Sequence, residues 1–154
     1  MTLVLESNAF YAGGRLPAKF TCDGENASPP LLWSKPPEGT RSLALVCSDP
    51  DAPSGTFYHW AIYDMSPDTG KLPEHYPAAG LGKGPLQATN DFGRTGYSGP
   101  CPPKGHGVHR YFFRLYALDV ERLPIAHPAH ARDVESAAEE HAIARAELMA
   151  MYER

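Results

Sequence analysis

The stretch Gly99-Pro100-Cys101-Pro102-Pro103-Lys104-Gly105-His106-Gly107-Val108-His109-Arg110-Tyr111 constrains this 154-residue chain more than any other. Its first seven residues hold three prolines, which fix φ, and two glycines, which let backbone approach a neighbour closely. Such a segment reads as a stiff, kinked loop of the kind that walls a pocket. His109, Arg110 and Tyr111 then open the run Tyr-Phe-Phe-Arg-Leu-Tyr-Ala-Leu-Asp, whose aromatic content is that of a buried strand.

Two further runs have strand character: the apolar residues 42–48, and residues 57–65 after a double-proline turn. Residues 111–120 complete the clear set, and 3–6, 18–22 and 31–34 are shorter extended candidates bounded by Gly, Pro, Asn or Asp. With 16 prolines and 14 glycines punctuating these runs, the expected fold is mainly β, an antiparallel β-sandwich. Residues 64–95 are polar and turn-rich, with Ser66-Pro67-Asp68-Thr69-Gly70 and Gly82-Lys83-Gly84-Pro85 as turns, and little regular structure is expected there. From Asp133 the pattern becomes helical. Val134, Ala137, His141, Ala144, Leu148 and Met151 recur at three- and four-residue spacing, so a C-terminal helix is expected over about 133–152 with Asp133 as its N-cap. Its alanine-rich apolar face fits docking on its own domain better than lying on a membrane, which favours bulkier apolar residues and a Lys/Arg-rich polar face.

Length and composition point to one domain, 1–154. The net charge of −4, with no basic stripe, argues against nucleic acid. Cys22, Cys47 and Cys101 are odd in number and lack a Cys-x-x-Cys pair, so reduced thiols are expected rather than a disulfide framework or thiolate zinc site. The N-terminus lacks signal-peptide character and no apolar run approaches spanning length. The expected location is therefore cytoplasmic, without integral membrane association.

The second informative segment is Ser48-Asp49-Pro50-Asp51-Ala52-Pro53-Ser54-Gly55-Thr56-Phe57-Tyr58-His59-Trp60. Pro50 pushes Asp49 out of the helical region, so Asp49 and Asp51 are expected to be extended, with carboxylates to roughly the same side. Ala52-Pro53 is a candidate cis bond. Singly, each Asp also fits a turn cap, and His59 fits a satisfied core imidazole. Strand alternation sends Arg110 to the face opposite His109 and Tyr111, giving it a structural or ion-pairing role. His75, His127 and His130 fall in turn-rich segments and receive no role.

Asp49-Pro50-Asp51-Ala52-Pro53, Gly96-Tyr97-Ser98-Gly99-Pro100-Cys101-Pro102-Pro103 and Gly107-Val108-His109-Arg110-Tyr111 together resemble the phosphatidylethanolamine-binding protein family, and its bacterial and archaeal Raf-kinase-inhibitor-like branch most of all. Pro29-Pro30-Leu31-Leu32-Trp33 before Ser42-Leu43-Ala44-Leu45-Val46 extends the likeness over nearly the whole chain. The resemblance implies a small surface pocket for a phosphate or similar anion, formed by Asp49, His59, His109 and Tyr111. Asp51 would adjoin it, Pro102 would be a wall, and Gly99 and Cys101 would contribute backbone. It also implies a binding or inhibitory module without turnover, with no cofactor. The kinase and protease targets, lipid headgroups and flowering control of eukaryotic members do not transfer to this compact chain. A kinase or protease target and a homodimer are admissible partners.

Two negative charges beside an anion repel it, so the carboxylates need another task. An Asp accepting from one ring nitrogen of His59 or His109 would support the charged imidazole and leave its other N–H for the ligand; a protonated, donating Asp is the alternative. Either predicts tighter phosphate binding as pH falls towards about 6. Two other readings use the same cluster: a metal site of two carboxylates and two imidazoles, and a weak hydrolase with a Cys101–His109–Asp thiol triad. The metal reading matches no local ligand motif, Cys101 has no helix N-terminus behind it, and the Ser98 region lacks the Gly-x-Ser-x-Gly elbow.

Overall fold

The computed structural model describes residues 2–80 and 84–154; the Gly82-Lys83 part of the second expected turn lies outside the described residues. The principal layer is a five-stranded antiparallel sheet built from β3 (Ser42–Asp49), β4 (Phe57–Met65), β6 (Leu86–Gln87), β7 (His109–Leu118) and β8 (Ala142–Tyr152), in the order β6-β4-β3-β7-β8. β3 is central and every one of its residues is buried, because it is covered on both faces. Leu43, Leu45 and Cys47 enter one apolar cluster with Trp60, Ile62, Phe113 and Leu115. Ala44 and Val46 enter a second with Tyr58, Tyr63, Tyr116 and Val134. A strand buried on both sides has no polar face to display, which is why this run is continuously apolar rather than alternating.

The first cluster is closed by a smaller antiparallel sheet of β1 (Leu5–Glu6), β2 (Leu31–Trp33) and β5 (Lys71–Leu72), completing the β-sandwich. The second is closed by helix α1 (Ala131–His141), whose Val134, Ala137 and Ala138 pack on the large sheet. Buried Glu135 fastens the helix to it, accepting from Tyr58 Oη at 2.8 Å and Tyr116 Oη at 2.9 Å.

The long terminal helix is corrected to a short helix followed by a strand. α1 ends at His141, and Ala142–Tyr152 pairs along the whole of β7, from Leu118↔Ala142 to His109↔Tyr152. Residues 142–152 satisfy two periods at once. Ala144, Ala146, Leu148, Ala150 and Tyr152 also alternate, and all five reach the inter-sheet cluster. Alanine's helix propensity is worth tenths of a kcal/mol per residue and gives way to the ladder that β7 offers. The N-cap is His130, whose ring accepts from Arg132 N, rather than Asp133, which lies in the first turn.

Residues 18–22 likewise form no strand. Ala18–Phe20 is a single 3₁₀ turn after Pro17, closed by Thr21 Oγ1 donating to Ala18 O, and it drops Phe20 into the core. Nor are all cysteines reduced. Cys22 is bonded to Cys101, with Cα atoms 5.4 Å apart, and Cys47 alone is free, buried in β3. The absence of a sequence-local pair concealed a contact between residues 79 apart, and the cytoplasmic placement loses the support it drew from reduced thiols. Among the described residues, no helix is long and apolar enough to cross a membrane.

Candidate functional site

The end of β3 and the starts of β4 and β7 lie side by side, and the two proline-rich segments arch over them. Between them is a cavity of about 150 Å³. Asp49, His59, His109 and Tyr111 line its base; Pro53, Phe57, Phe92, Cys101, Pro102 and Pro103 form most of its wall. Asp49 closes β3, His109 opens β7 and Tyr111 follows two residues later on the same face.

His59 reaches the cavity by a β-bulge. Cys47 pairs with Trp60 and Ser48 with Tyr58, so His59 is the extra residue of β4. A bulge re-aims a side chain, and here it frees His59 from the alternation that would set it against its neighbours. Ring contacts then hold it: Phe57 at 4.9 Å and Tyr111 at 5.4 Å between centroids.

The two imidazoles are fixed in defined tautomers. His59 Nδ1 lies 2.7 Å from Ser98 O, and since a carbonyl only accepts, Nδ1 carries the proton. Burial lowers the His59 pKa, outweighing the Ser98 bond and the charge of Asp49, so the ring is neutral at physiological pH with a lone pair on Nε2. His109 Nδ1 lies 2.6 Å from Asp49 Oδ2 and donates to it, both side chains being buried. Asp49 Oδ1 accepts from Asp51 N at 2.7 Å, so each oxygen of this carboxylate already holds a donor. Tyr111 keeps its hydroxyl proton: burial first, then the charge of Asp49, drives its pKa far up.

Asp51 departs from the expected arrangement. It does not line the cavity; it is turned to Arg110, receiving Nε at 2.8 Å, Nη2 at 2.8 Å and the backbone N–H at 2.9 Å. This bidentate pairing holds its pKa down to about 2, so it is charged and neutralised in place. Arg110 has the ion-pairing role expected from its register. The carboxylates therefore serve different residues rather than a common face, because Asp51 lies beyond the end of β3, where strand alternation no longer directs it.

Gly99 is also absent from the wall. Its N–H donates to Asn26 Oδ1 at 2.7 Å, and a Cβ there would stand 2.1 Å from Phe20 O. Its smallness admits a neighbouring chain segment rather than a ligand. Cys101 and Pro102 do line the cavity, and the Cys22–Cys101 bond pins that wall to the turn after Phe20. Ala52–Pro53 is trans; the cis bond among the described residues is His127–Pro128. As a disulfide sulfur, Cys101 is no nucleophile, which removes the thiol triad. No group of three His, Cys, Asp or Glu among the described residues is arranged to hold a metal ion.

Some neighbours of the site were not legible as such. Phe57 and Phe92 pack edge to face, 4.7 Å between centroids, and supply its apolar side. Asn90 organises the approach, with Nδ2 donating to Gly96 O and Ser98 Oγ, and Oδ1 accepting from Phe92 N and Arg94 N. His106 places Nδ1 2.7 Å from His109 Nε2; its one signal was a histidine between two glycines in the loop that supplies the wall.

With this geometry in place, comparison with known proteins decides the lineage. The family model for phosphatidylethanolamine-binding protein matches residues 6–153. The chain belongs to the phosphatidylethanolamine-binding protein family. It is 50% identical over 151 residues to a UPF0098 protein of Methanothermobacter thermautotrophicus, covering 97% of this chain and 98% of the relative. It is 38% identical over 156 residues to the UPF0098 protein YbhB of Escherichia coli, covering 96% and 98%. The crystal structure of Escherichia coli YbcL, described as a new member of the mammalian family, superimposes with a TM-score of 0.93 at 34% identity over 100% of this chain and 99% of that one. These relatives set it in the bacterial and archaeal branch of the family, as its three sequence blocks implied.

Proposed function

We propose that this family member is a binding module whose cavity takes a phosphate or similar oxyanion, borne by a small molecule or a side chain, without catalytic turnover. The observation that carries the reading is the disposal of the two carboxylates. Asp49 is committed to His109 and Asp51 to Arg110, so neither presents an unpaired charge to an anion beside His59, His109 and Tyr111. Tyr111 is a standing donor. His109, backed by Asp49, becomes one on taking a proton at Nε2, and a protonated phosphate oxygen can donate to a neutral Nε2 of either histidine. Each arrangement brings one proton with the ligand, so affinity rises as pH falls.

Size limits the ligand. At roughly 30 Å³ per water molecule, about 150 Å³ is five waters' worth, enough for a phosphate and a short substituent but below the roughly 300–1,000 Å³ of drug-sized sites. Phe57, Phe92 and the prolines suit the apolar part of such a substituent. Inhibition of a kinase or protease through a phosphorylated side chain, and a homodimer using exposed Tyr11 and Phe92, belong to the same proposal. Calorimetric titration of phosphate and phosphoethanolamine into wild type and His109→Ala tests its core. Saturable heat that disappears in a folded variant is the expected result, and no heat with either ligand defeats the reading.

A further inference from the structure

We propose that His106 is a displaceable cover on His109, so that an anion in the cavity reaches His109 Nε2 only by exchanging with an imidazole of the protein itself. The inference rests on the anion-binding reading above and concerns how that site is regulated. Because His109 Nδ1 is spent on Asp49, Nε2 is the one ring nitrogen it can offer a ligand, and that atom faces His106 Nδ1 at 2.7 Å. In the neutral pair the proton of this bond sits on His106 Nδ1, since Nε2 of His109 is the lone pair. The rings meet at 4.9 Å between centroids, tilted by 62°. The ring nitrogen that faces the ligand is thus occupied by the protein's own side chain, while the rest of the cavity stays open.

The backbone around His106 is built to let that side chain leave. His106 is exposed and stands between Gly105 (φ 76°) and Gly107 (φ 98°), and nothing lies within 4 Å of the Cβ position at either glycine. The base of the loop is held: Gly105 N donates to Arg154 O at 3.0 Å, His106 N to Pro103 O at 3.1 Å, and Arg154 Nε to Pro102 O at 2.9 Å. Movement is thereby confined to the tip, and the proline wall stays in place.

Around His109 the other polar groups are already engaged: Asp49 from β3 holds its Nδ1, His59 from the β4 bulge is bound to Ser98 O, and Asp51 is paired with Arg110. His106 meets His109 through this one hydrogen bond and the ring contact, so exchanging it for an anion costs the protein a single neutral hydrogen bond.

The test is calorimetric titration of inorganic phosphate at pH 7.5 into wild type, His106→Ala, His106→Asn and His109→Ala. His106 is exposed, so its variants retain the fold. At pH 7.5 the alanine variant is expected to bind about 3- to 10-fold more tightly than wild type, the worth of one neutral hydrogen bond no longer displaced. His106→Asn, whose amide replaces the Nδ1 donor, is expected to match wild type. Equal or weaker binding by His106→Ala at pH 7.5, with His109→Ala silent, overturns the cover and leaves the anion site standing. No binding by wild type or His106→Ala overturns both.

Discussion

His59 and His109 are chemically the same residue given different tasks by their partners. Burial keeps His59 neutral, with its Nδ1 proton on the Ser98 carbonyl, whereas His109 donates its Nδ1 proton to a buried carboxylate. The depressed pKa of His59 has a consequence for stability. As pH falls through the ordinary histidine value of 6.5, the unfolded chain binds a proton that the folded chain resists. Stability from this group is complete above that pH and is lost as pH falls towards the lowered folded value. Thermal melts between pH 7 and 5 should therefore fall less steeply for His59→Gln, which has no group to titrate, than for wild type; an unchanged slope contradicts the assignment. Little of this was readable from sequence, since the bulge that aims His59 arises from the pairing of β3 with β4. That Asp49 and His109 lie together at one candidate site was legible, through the blocks that resemble the family and the proline and glycine reversals beside them. That Asp51 turns to Arg110 was not, since its direction is set beyond the strand end.

At the scale of elements, the three long runs were read closely: β3 (Ser42–Asp49), β4 (Phe57–Met65) and β7 (His109–Leu118) each lie within two residues of the expected bounds. The misreading came where two periods coexist, in the alanine-rich residues 142–152. Their identity as β8 is settled by β7, a partner distant in sequence, and not by local propensity. The proline-glycine loop illustrates the opposite case, in which a residue type was noticed for one reason and serves another. Gly99 packs against the 3₁₀ turn, and Gly99→Ala should destabilise the fold by about 2 kcal/mol or more, since the colliding atom is backbone rather than a mobile side-chain end. Chemical denaturation measures it. A variant as stable as wild type would mean that the turn after Phe20 is not held against this loop.

For the molecule as a whole, the cavity depends on segments far apart in the chain being held in register. Cys22–Cys101 joins residues 79 apart, and Tyr152 Oη donates to Asp23 while Arg154 reaches Pro102 O, so the start, middle and end of the chain meet beside the site. Cys22→Ser should lower stability by about 2–4 kcal/mol, as expected for a bond closing a loop of this length. Thiol titration of native wild type should find no reactive cysteine, and of denatured wild type one, Cys47. Three thiols on denaturation without reductant would contradict the disulfide.

An oxyanion that enters this cavity should bring a proton with it. Calorimetric titration of phosphate at constant pH near 7, in two buffers of different ionisation enthalpy, measures both quantities at once. Saturable binding with net uptake of a fraction of one proton, growing with pH across the histidine range and absent with His109→Ala, is the predicted result. Binding without proton uptake, or with proton release, would contradict the roles assigned to Asp49, His59 and His109.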